Sequence, residues 1–499
     1  MITFIPNDPK ASGGPPIRQK APRTERPATV AGFTYVTHGP AAPHSLGDPD
    51  FLFWQCREAA LSAVAAYEAL AGKRVTRWAR SSPRRRLELQ PDTGTDLNAY
   101  YNGQSLSFFD YTTGTKTTWS GASTDVVAHE TGHALLDQSR PDLWDSAYPE
   151  TNSFHEAFAD CNALLTAFAD PATRDNVRSK LWRRNFLEAT AEDLSDGVRR
   201  ALGASHPAAQ PRHARNTFQW ALPSTLPESG PPNVLSGEVH SFARIFTGCF
   251  YDTILNILRD RIGATKTPSS AQLFDAVKTA GKLLLRAAAE APETTRFFQS
   301  VGRAMVLADE HLNGGANGLA IRDAFQKHNI ALGSSAMLAP VAALAGTTST
   351  RGAGSLSRSA IRDLRTRLRA TPAERLFVQA HEIGGRRVVR ATHLRHVALG
   401  PLDRRLRGVV AIAPQPVLLV TMGKTAAILG GLPESTASDD EVQTFVSTLL
   451  VADRIAFEST AARYGIKSSF RKDKRLRLPT HAVHKAGSTK LLRRVRFAC

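Results

Sequence analysis

His129-Glu130-Thr131-Gly132-His133 constrains this chain more than any other stretch. Two imidazoles stand four residues apart, with a carboxylate beside the first. On a helix, positions i and i+4 lie one above the other, so both rings reach the same point beside it. That spacing grips one zinc ion with two nitrogens. Glu130, at a different angle on the helix, reaches a water held by the metal rather than the metal. Asp125-Val126-Val127-Ala128 before the motif and Ala134-Leu135-Leu136 after it place apolar residues at helical spacing, with Ser123 or Thr124 as N-cap and Asp125 in the first turn. A buried helix carrying two His and a Glu needs partners for those polar groups.

A zinc site with chemistry to do needs a third protein ligand and one open position. An astacin-like site would place a His six residues past His133, after a Gly at the third. Those positions hold Ser139 and Leu136, which excludes it. The run Phe154-His155-Glu156-Ala157-Phe158-Ala159-Asp160-Cys161-Asn162-Ala163-Leu164-Leu165 reads as a second buried helix. Glu156 and Asp160 share a face of it. Glu156 is expected to complete the metal set, and Asp160 to sit behind it, accepting a hydrogen bond from a ligand imidazole and so fixing its tautomer. His155 is the rival third ligand, but its position points elsewhere on the helix.

Taken together, Asp125 to Ala134 and Glu156-Ala157-Phe158-Ala159-Asp160 resemble the gluzincin peptidases, and most closely the thermolysin family. Asn98-Ala99-Tyr100-Tyr101-Asn102-Gly103 resembles that family's edge strand, which implies that Asn98 and Ala99 hold the substrate backbone. Val239-His240-Ser241 resembles the segment whose histidine stabilises the tetrahedral intermediate. The blocks follow in the family's order, and Asp323 to Ile330 is similar to the end of its catalytic domain, so the resemblance covers roughly residues 30 to 332. It implies a two-lobed α+β fold with a β-rich first lobe, a helical second lobe and a zinc cleft between them. It also implies a zinc endopeptidase acting on peptide or protein substrates through a metal-bound water activated by Glu130, with His240 opposite the metal. Tyr148 lies near the position of an oxyanion-side tyrosine, although the gap from His133 to Glu156 is three residues longer than in the family. An arginine that binds the substrate carbonyl is expected between Glu156 and His240, and both Arg212 and Arg215 fall there.

The residues themselves agree. Asn98 to Asp110 carries short aromatic and apolar runs around the turn signal Asn102-Gly103, which suits a hairpin at a cleft edge where an extended peptide adds through main-chain hydrogen bonds. Phe242, Ile245, Phe246, Phe250 and Ile254 form an apolar helix face just after His240. Three departures stand out. The residue before the third ligand, Asn in the family, is His155. Ala163 to Arg174 contains only Asp170, so no structural calcium is expected. The usual aspartate partner of the late histidine is missing, leaving Glu238 as the nearby acid.

Composition divides the chain. Residues 1–30 are rich in Pro, Gly, Arg and Lys and read as a disordered arm without a secretory apolar run. No run of apolar residues is long enough to span a membrane. The expectation is a cytoplasmic protein or one exported by a non-classical route. Four Cys in 499 residues argue against a disulfide framework, and Cys161 and Cys249 fall in apolar helix patterns as buried thiols. Residues 31–332 form the peptidase-like domain, with helices expected at Phe51–Ala71, Leu273–Ala288 and Phe297–Leu312. Residues 333–358, rich in Ala, Gly, Ser and Thr, read as a linker. Residues 359–499 read as a small basic α+β domain. From residue 351 onward there are 28 Lys+Arg against 11 Asp+Glu, so nearly all of the net charge of +18 lies there. Such asymmetry fits an anionic partner, although the scarcity of aromatics argues against a base-stacking platform. Arg471 to Arg477 is the densest basic run. His381-Glu382 lacks a second histidine, and His393/His396 and His481/His484 are weak pairs. The alternative function is an inactive peptidase-like scaffold whose basic domain binds nucleic acid or another anion; the intact His129, Glu130, His133 and Glu156 argue against it.

Overall fold

The structure is a computed structural model that describes residues 1–36, 38–79, 86–263, 266–333, 357–383, 386–422, 425–431, 439–457 and 478–498. The Arg471 to Arg477 run, most of the 333–358 segment and Cys499 lie outside the described residues. The fold is of the α+β class.

The chain opens with β1 (Ile2–Phe4), β2 (Arg18–Lys20) and β3 (Gly32–Thr34). Helix α1 (Pro49–Ala71) starts at Asp48, whose side chain accepts the Asp50 N–H, and stops at Gly72 in the left-handed conformation. Strands β4 (Arg86–Gln90), β5 (Ala99–Tyr101), β6 (Ser105–Phe108), β7 (Asp110–Thr113) and β8 (Lys116–Trp119) follow. The Asn102-Gly103 turn joins β5 to β6: the Asn102 side chain accepts the backbone N–H groups of Gln104 and Ser105, and Gly103 takes φ 88°. Then come α2 (Thr124–Ser139), α3 (Pro149–Ala169), α4 (Pro171–Val177), β9 (Ala189–Thr190), α5 (Glu192–Leu202), β10 (Arg212–His213), α6 (Val239–Ile262), α7 (Ser270–Glu290), α8 (Phe297–Asn313) and α9 (Gly318–Lys327). The helices read from apolar spacing at residues 51, 273 and 297 are all present, with no end moved by more than three residues.

The late part begins with α10 (Arg358–Arg367) and a run of strands, β11 (Arg375–Ile383), β12 (Arg386–Ala398), β13 (Val409–Met422) and β14 (Thr425–Gly431). It ends with α11 (Asp439–Val451), β15 (Ile455–Ala456), β16 (His481–Ala486), β17 (Thr489–Arg494) and β18 (Phe497–Ala498). Strands β11 to β17 form one sheet in the order β11-β12-β13-β17-β16-β15, with β14 also paired to β13. β18 leaves that sheet. It pairs antiparallel with β5, Phe497 opposite Tyr101 and Ala498 opposite Tyr100, and so becomes the edge of a five-stranded sheet of order β18-β5-β6-β4-β3.

One continuous apolar core runs from Ala31 to Leu332 and takes in Phe497. A second core joins Ala147 and Tyr148 to Val397, Leu399, Val409, Phe445 and their neighbours, and the Ala147 N–H donates to the Ile412 carbonyl at 2.9 Å. Residues 1–30 do not form the disordered arm expected from their composition. β1 pairs with β2, Ile5 packs on Phe51 and Leu52, and the start of α2 is tied down as Thr124 N–H donates to Asn7 and the Ser123 hydroxyl to Asp8. Three buried apolar residues, Ile2, Phe4 and Ile5, are enough to seat the segment, and mean composition hides them.

The helices that matter most are α2 and α3, which cross closely at Gly132. A Cβ there would stand 2.8 Å from Ala159 Cα and 3.0 Å from Asn162 Cβ, so only glycine lets the two backbones approach this far. Asn162 reinforces the crossing by donating to the Ala128 carbonyl at 2.8 Å.

Two outcomes follow. Gly132→Val should separate the helices, costing about 1–3 kcal/mol in thermal melts. Glu293 is buried and accepts from the Thr151 hydroxyl; burial, aided by Asp142, pushes its carboxyl from 4.5 up to about 7. Its folded pKa is raised, so it is neutral in both states below about 4.5 and opposes folding progressively as pH rises to about 7. Glu293→Gln should therefore leave the melting temperature unchanged at pH 4.5 and raise it at pH 8, the difference reflecting on the order of 2–4 kcal/mol.

Candidate metal centre

The motif helix α2 presents His129, Glu130 and His133, all fully buried. Helix α3 presents Glu156 and Asp160, also buried, from the face turned toward α2. Glu156 Oε2 lies 3.4 Å from His129 Nε2 and 3.4 Å from His133 Nε2. Four donors set about 2.0–2.2 Å from a tetrahedral zinc stand roughly 3.3–3.6 Å apart. The separations of Glu156 from both imidazoles therefore match the edges of such a tetrahedron. His129, Glu130 and His133 also present ligand-type atoms within 4.8 Å of one another. Of the two carboxylates, Glu156 is the better ligand, because one oxygen is equidistant from both imidazole nitrogens, whereas Glu130 flanks the pair from the same helix.

Bonding around these groups supports a cation. Buried His133 Nε2, Glu156 Oε2 and His240 Nε2 have no hydrogen-bond partner among the described residues, although they face one another at 3.3–3.4 Å. Buried polar atoms are rarely left so, and an ion between His133 and Glu156 would satisfy those two, leaving His240 Nε2 free to act as a donor. Burial holds the His133 imidazole down to about 4 despite the pull of Glu156, so at neutral pH it is uncharged and its lone pair is available. Burial would raise Glu156, but the charge on His240, together with contacts to the His133 and His129 imidazoles, outweighs it and holds the carboxyl well below its usual range.

The outer hydrogen bonds of the two imidazoles differ. His129 Nδ1 lies 2.8 Å from Asp160 Oδ1, so its N–H donates to a carboxylate. Burial pushes Asp160 up, yet Arg212 and then His129 hold it below the carboxylate range. His133 Nδ1 instead meets His155 Nδ1 at 2.9 Å. With His133 Nε2 facing Glu156, its Nδ1–H donates and a neutral His155 accepts. His155 is thus the outer partner of His133 and not a ligand. Its place immediately before Glu156 was its only sequence signal.

His240 sits in the first turn of α6, with Nε2 3.3 Å from Glu156 Oε2 and Nδ1 2.7 Å from Glu238 Oε1. Glu238 is also the N-cap of α6, accepting the His240 and Ser241 N–H groups. It supplies the carboxylate partner that the sequence lacked as an aspartate. Burial pulls the His240 imidazole down, but Glu156 and Glu238 outweigh it and raise it to about 9. Arg212 on β10 donates to Asp160 at 2.8 Å and reaches within 3.4 Å of His129 Nδ1. Arg215 turns away to Glu188 at 2.6 Å, so of the two arginines Arg212 belongs to the site.

Ala99 opens β5 and Asn98 directly precedes it. The Asn98 side chain accepts the Ala99 N–H, and Asn98 lines a pocket of about 300 Å³ shared with Arg212, Glu238, His240 and Arg454. Tyr148 is not brought to the site. It is the N-cap residue of α3, and its hydroxyl donates to the Pro414 carbonyl at 2.8 Å inside the second core. The longer segment between His133 and Glu156 is used to dock the late sheet. His393 pairs with Glu374, away from this group. Cys161 and Cys249 are buried free thiols. Among the described residues no helix is long and apolar enough to cross a membrane.

No protein-family model and no curated protein matches the chain.

Asp160→Asn should weaken zinc binding by roughly 10–100-fold in competition with a chelating dye, while the far-ultraviolet dichroism of the variant stays that of the wild type.

Proposed function

We propose that this protein is a zinc-dependent endopeptidase of the thermolysin-like kind, its cleft walled by the β5 sheet edge on one side and by α2, α3 and α6 on the other. The observation that carries the reading is the placement of Glu156 Oε2 at 3.4 Å from both His129 Nε2 and His133 Nε2, with Glu130 beside them. His129, His133 and Glu156 would hold the zinc. When bound, zinc lowers the pKa of a water and polarises a carbonyl.

The chain's own groups supply the rest. Glu130 takes one proton from water as its oxygen adds to the peptide carbonyl carbon. It then delivers that proton to the amide nitrogen as the carbon–nitrogen bond breaks, leaving a carboxylic acid and an amine, between which the remaining water proton passes to give carboxylate and ammonium. His240, flanked by Glu238 and Glu156, keeps an N–H directed at the carbonyl oxygen while negative charge develops there. Arg212 neutralises Asp160 and so stiffens the support of His129. Pairing with β5, at the edge where β18 lies in this structure, would hold an extended substrate as an added strand.

Glu130→Gln is expected to keep one zinc per chain and to lose at least 1,000-fold in peptide hydrolysis, the order of size for removing a general base together with its proton delivery. Metal analysis beside a quenched-fluorescence peptide assay makes the comparison. Undiminished hydrolysis in the variant would remove Glu130 from the mechanism.

A further inference from the structure

A substrate that adds to the β5 edge must find that edge free. Here β18 already occupies it, antiparallel, with Phe497 opposite Tyr101 and Ala498 opposite Tyr100. The Phe497 ring is buried. It stacks on His155 with centroids 3.7 Å apart and on His133 with centroids 4.6 Å apart, and it meets the Trp144 ring edge-on at 5.3 Å. The residues before it are locked as well. Arg494 is buried, its guanidinium donating to the Asn152 side chain and lying 3.9 Å from the Phe497 ring centre, while its carbonyl accepts the Trp144 indole N–H at 3.1 Å. Arg496 lies over the Tyr100 ring at 4.8 Å. Around Glu156, His240, His481, Arg494 and Ala498 only about 30 Å³ of space remains. That admits a water or two and no peptide. The larger pocket by Asn98 and Arg212 stays open, so the blockage is confined to one half of the groove.

We infer that residues Arg494 to Ala498 are an internal pseudosubstrate: they fill the strand-addition site beside the metal ligands, keep the protein closed, and mark by the Phe497 seat a subsite for an aromatic side chain of the substrate. This segment engages the main-chain edge of β5, the ring face of His133 and the ring of Trp144. An occupant held by its own chain competes at an effective concentration in the millimolar range, so peptides added in trans meet a nearly closed groove. Activation then requires displacement of β18 by a partner, by cleavage between the late sheet and β18, or by a competing strand.

The hydrolytic arm of the test rests on the zinc-peptidase reading, and the binding arm stands without it. Full-length wild type, Phe497→Asp and Ala498→Pro are compared; the first expels the ring and the second removes one backbone donor from the strand. Binding of a fluorescein-labelled octapeptide copying Leu491 to Ala498 is followed by anisotropy in zinc-free buffer. Hydrolysis of a quenched peptide containing Phe is followed with zinc present. The expected result is at least ten-fold tighter octapeptide binding by both variants and a rise of similar size in hydrolysis. Tighter binding with no hydrolysis by any of the three proteins upholds the pseudosubstrate and overturns the peptidase assignment instead. Folded variants that bind the octapeptide no better than wild type overturn the inference. So does a loss of hydrolysis relative to an active wild type, because β18 would then be part of the working cleft wall. Should Phe497→Asp fail to fold, Ala498→Pro answers the same question; if neither folds, β18 is a structural strand and the inference fails.

Discussion

The close crossing of α2 and α3 is the constraint on which the rest of this molecule depends. The two helices meet where Gly132 has no side chain, and Ala159 and Asn162 fill the space a Cβ would need. Without that approach, Glu156 could not stand at one distance from both His129 and His133. A tetrahedral ion tolerates errors of only a few tenths of an ångström in its ligand bonds, so the backbone must be placed before the side chains can be. A packed helix pair buried on all sides is a stiff way to place it.

Around this frame, charge is arranged asymmetrically. His129 leans on a carboxylate that is itself neutralised by Arg212, whereas His133 leans on another imidazole. The first arrangement makes the ligand nitrogen more electron-rich, and the second leaves it less so while adding no charge to the interior. On the third side, Glu238 serves two purposes from one position, completing the helix terminus of α6 and orienting His240. The result is a buried cluster in which Glu156, Asp160 and Glu238 each face a histidine or an arginine.

Much of this was legible in the chain. Helical spacing of apolar residues located α1, α2, α3, α7 and α8, and the polar residues that broke the pattern in α2 and α3 were the ones that converge. Local spacing could do this because i and i+4 neighbours meet whatever the tertiary structure. What was not legible depended on long-range placement. The choice between Arg212 and Arg215 turned on which of them the short strand β10 directs at Asp160. Tyr148 was drawn away by the carbonyl of Pro414, a contact across most of the chain. His155 could be read as a ligand competitor because its ring partner lies on another helix. The pairing of β1 with β2 was masked by a Pro- and Arg-rich average, and a two-residue strand such as β18 carries no periodicity to read.

The pairing of β18 with β5 also bears on how the chain reaches its final form. The partners are separated by most of the polypeptide, and strand pairs of such sequence separation form late, after nearer contacts have reduced the entropy of closing the loop. The helix pair and the hairpin β5–β6 are local and can assemble early. During synthesis, and in any partly unfolded state from which the late sheet has come away, the helices that carry His129, His133 and Glu156 would therefore stand complete with the groove beside them still uncovered.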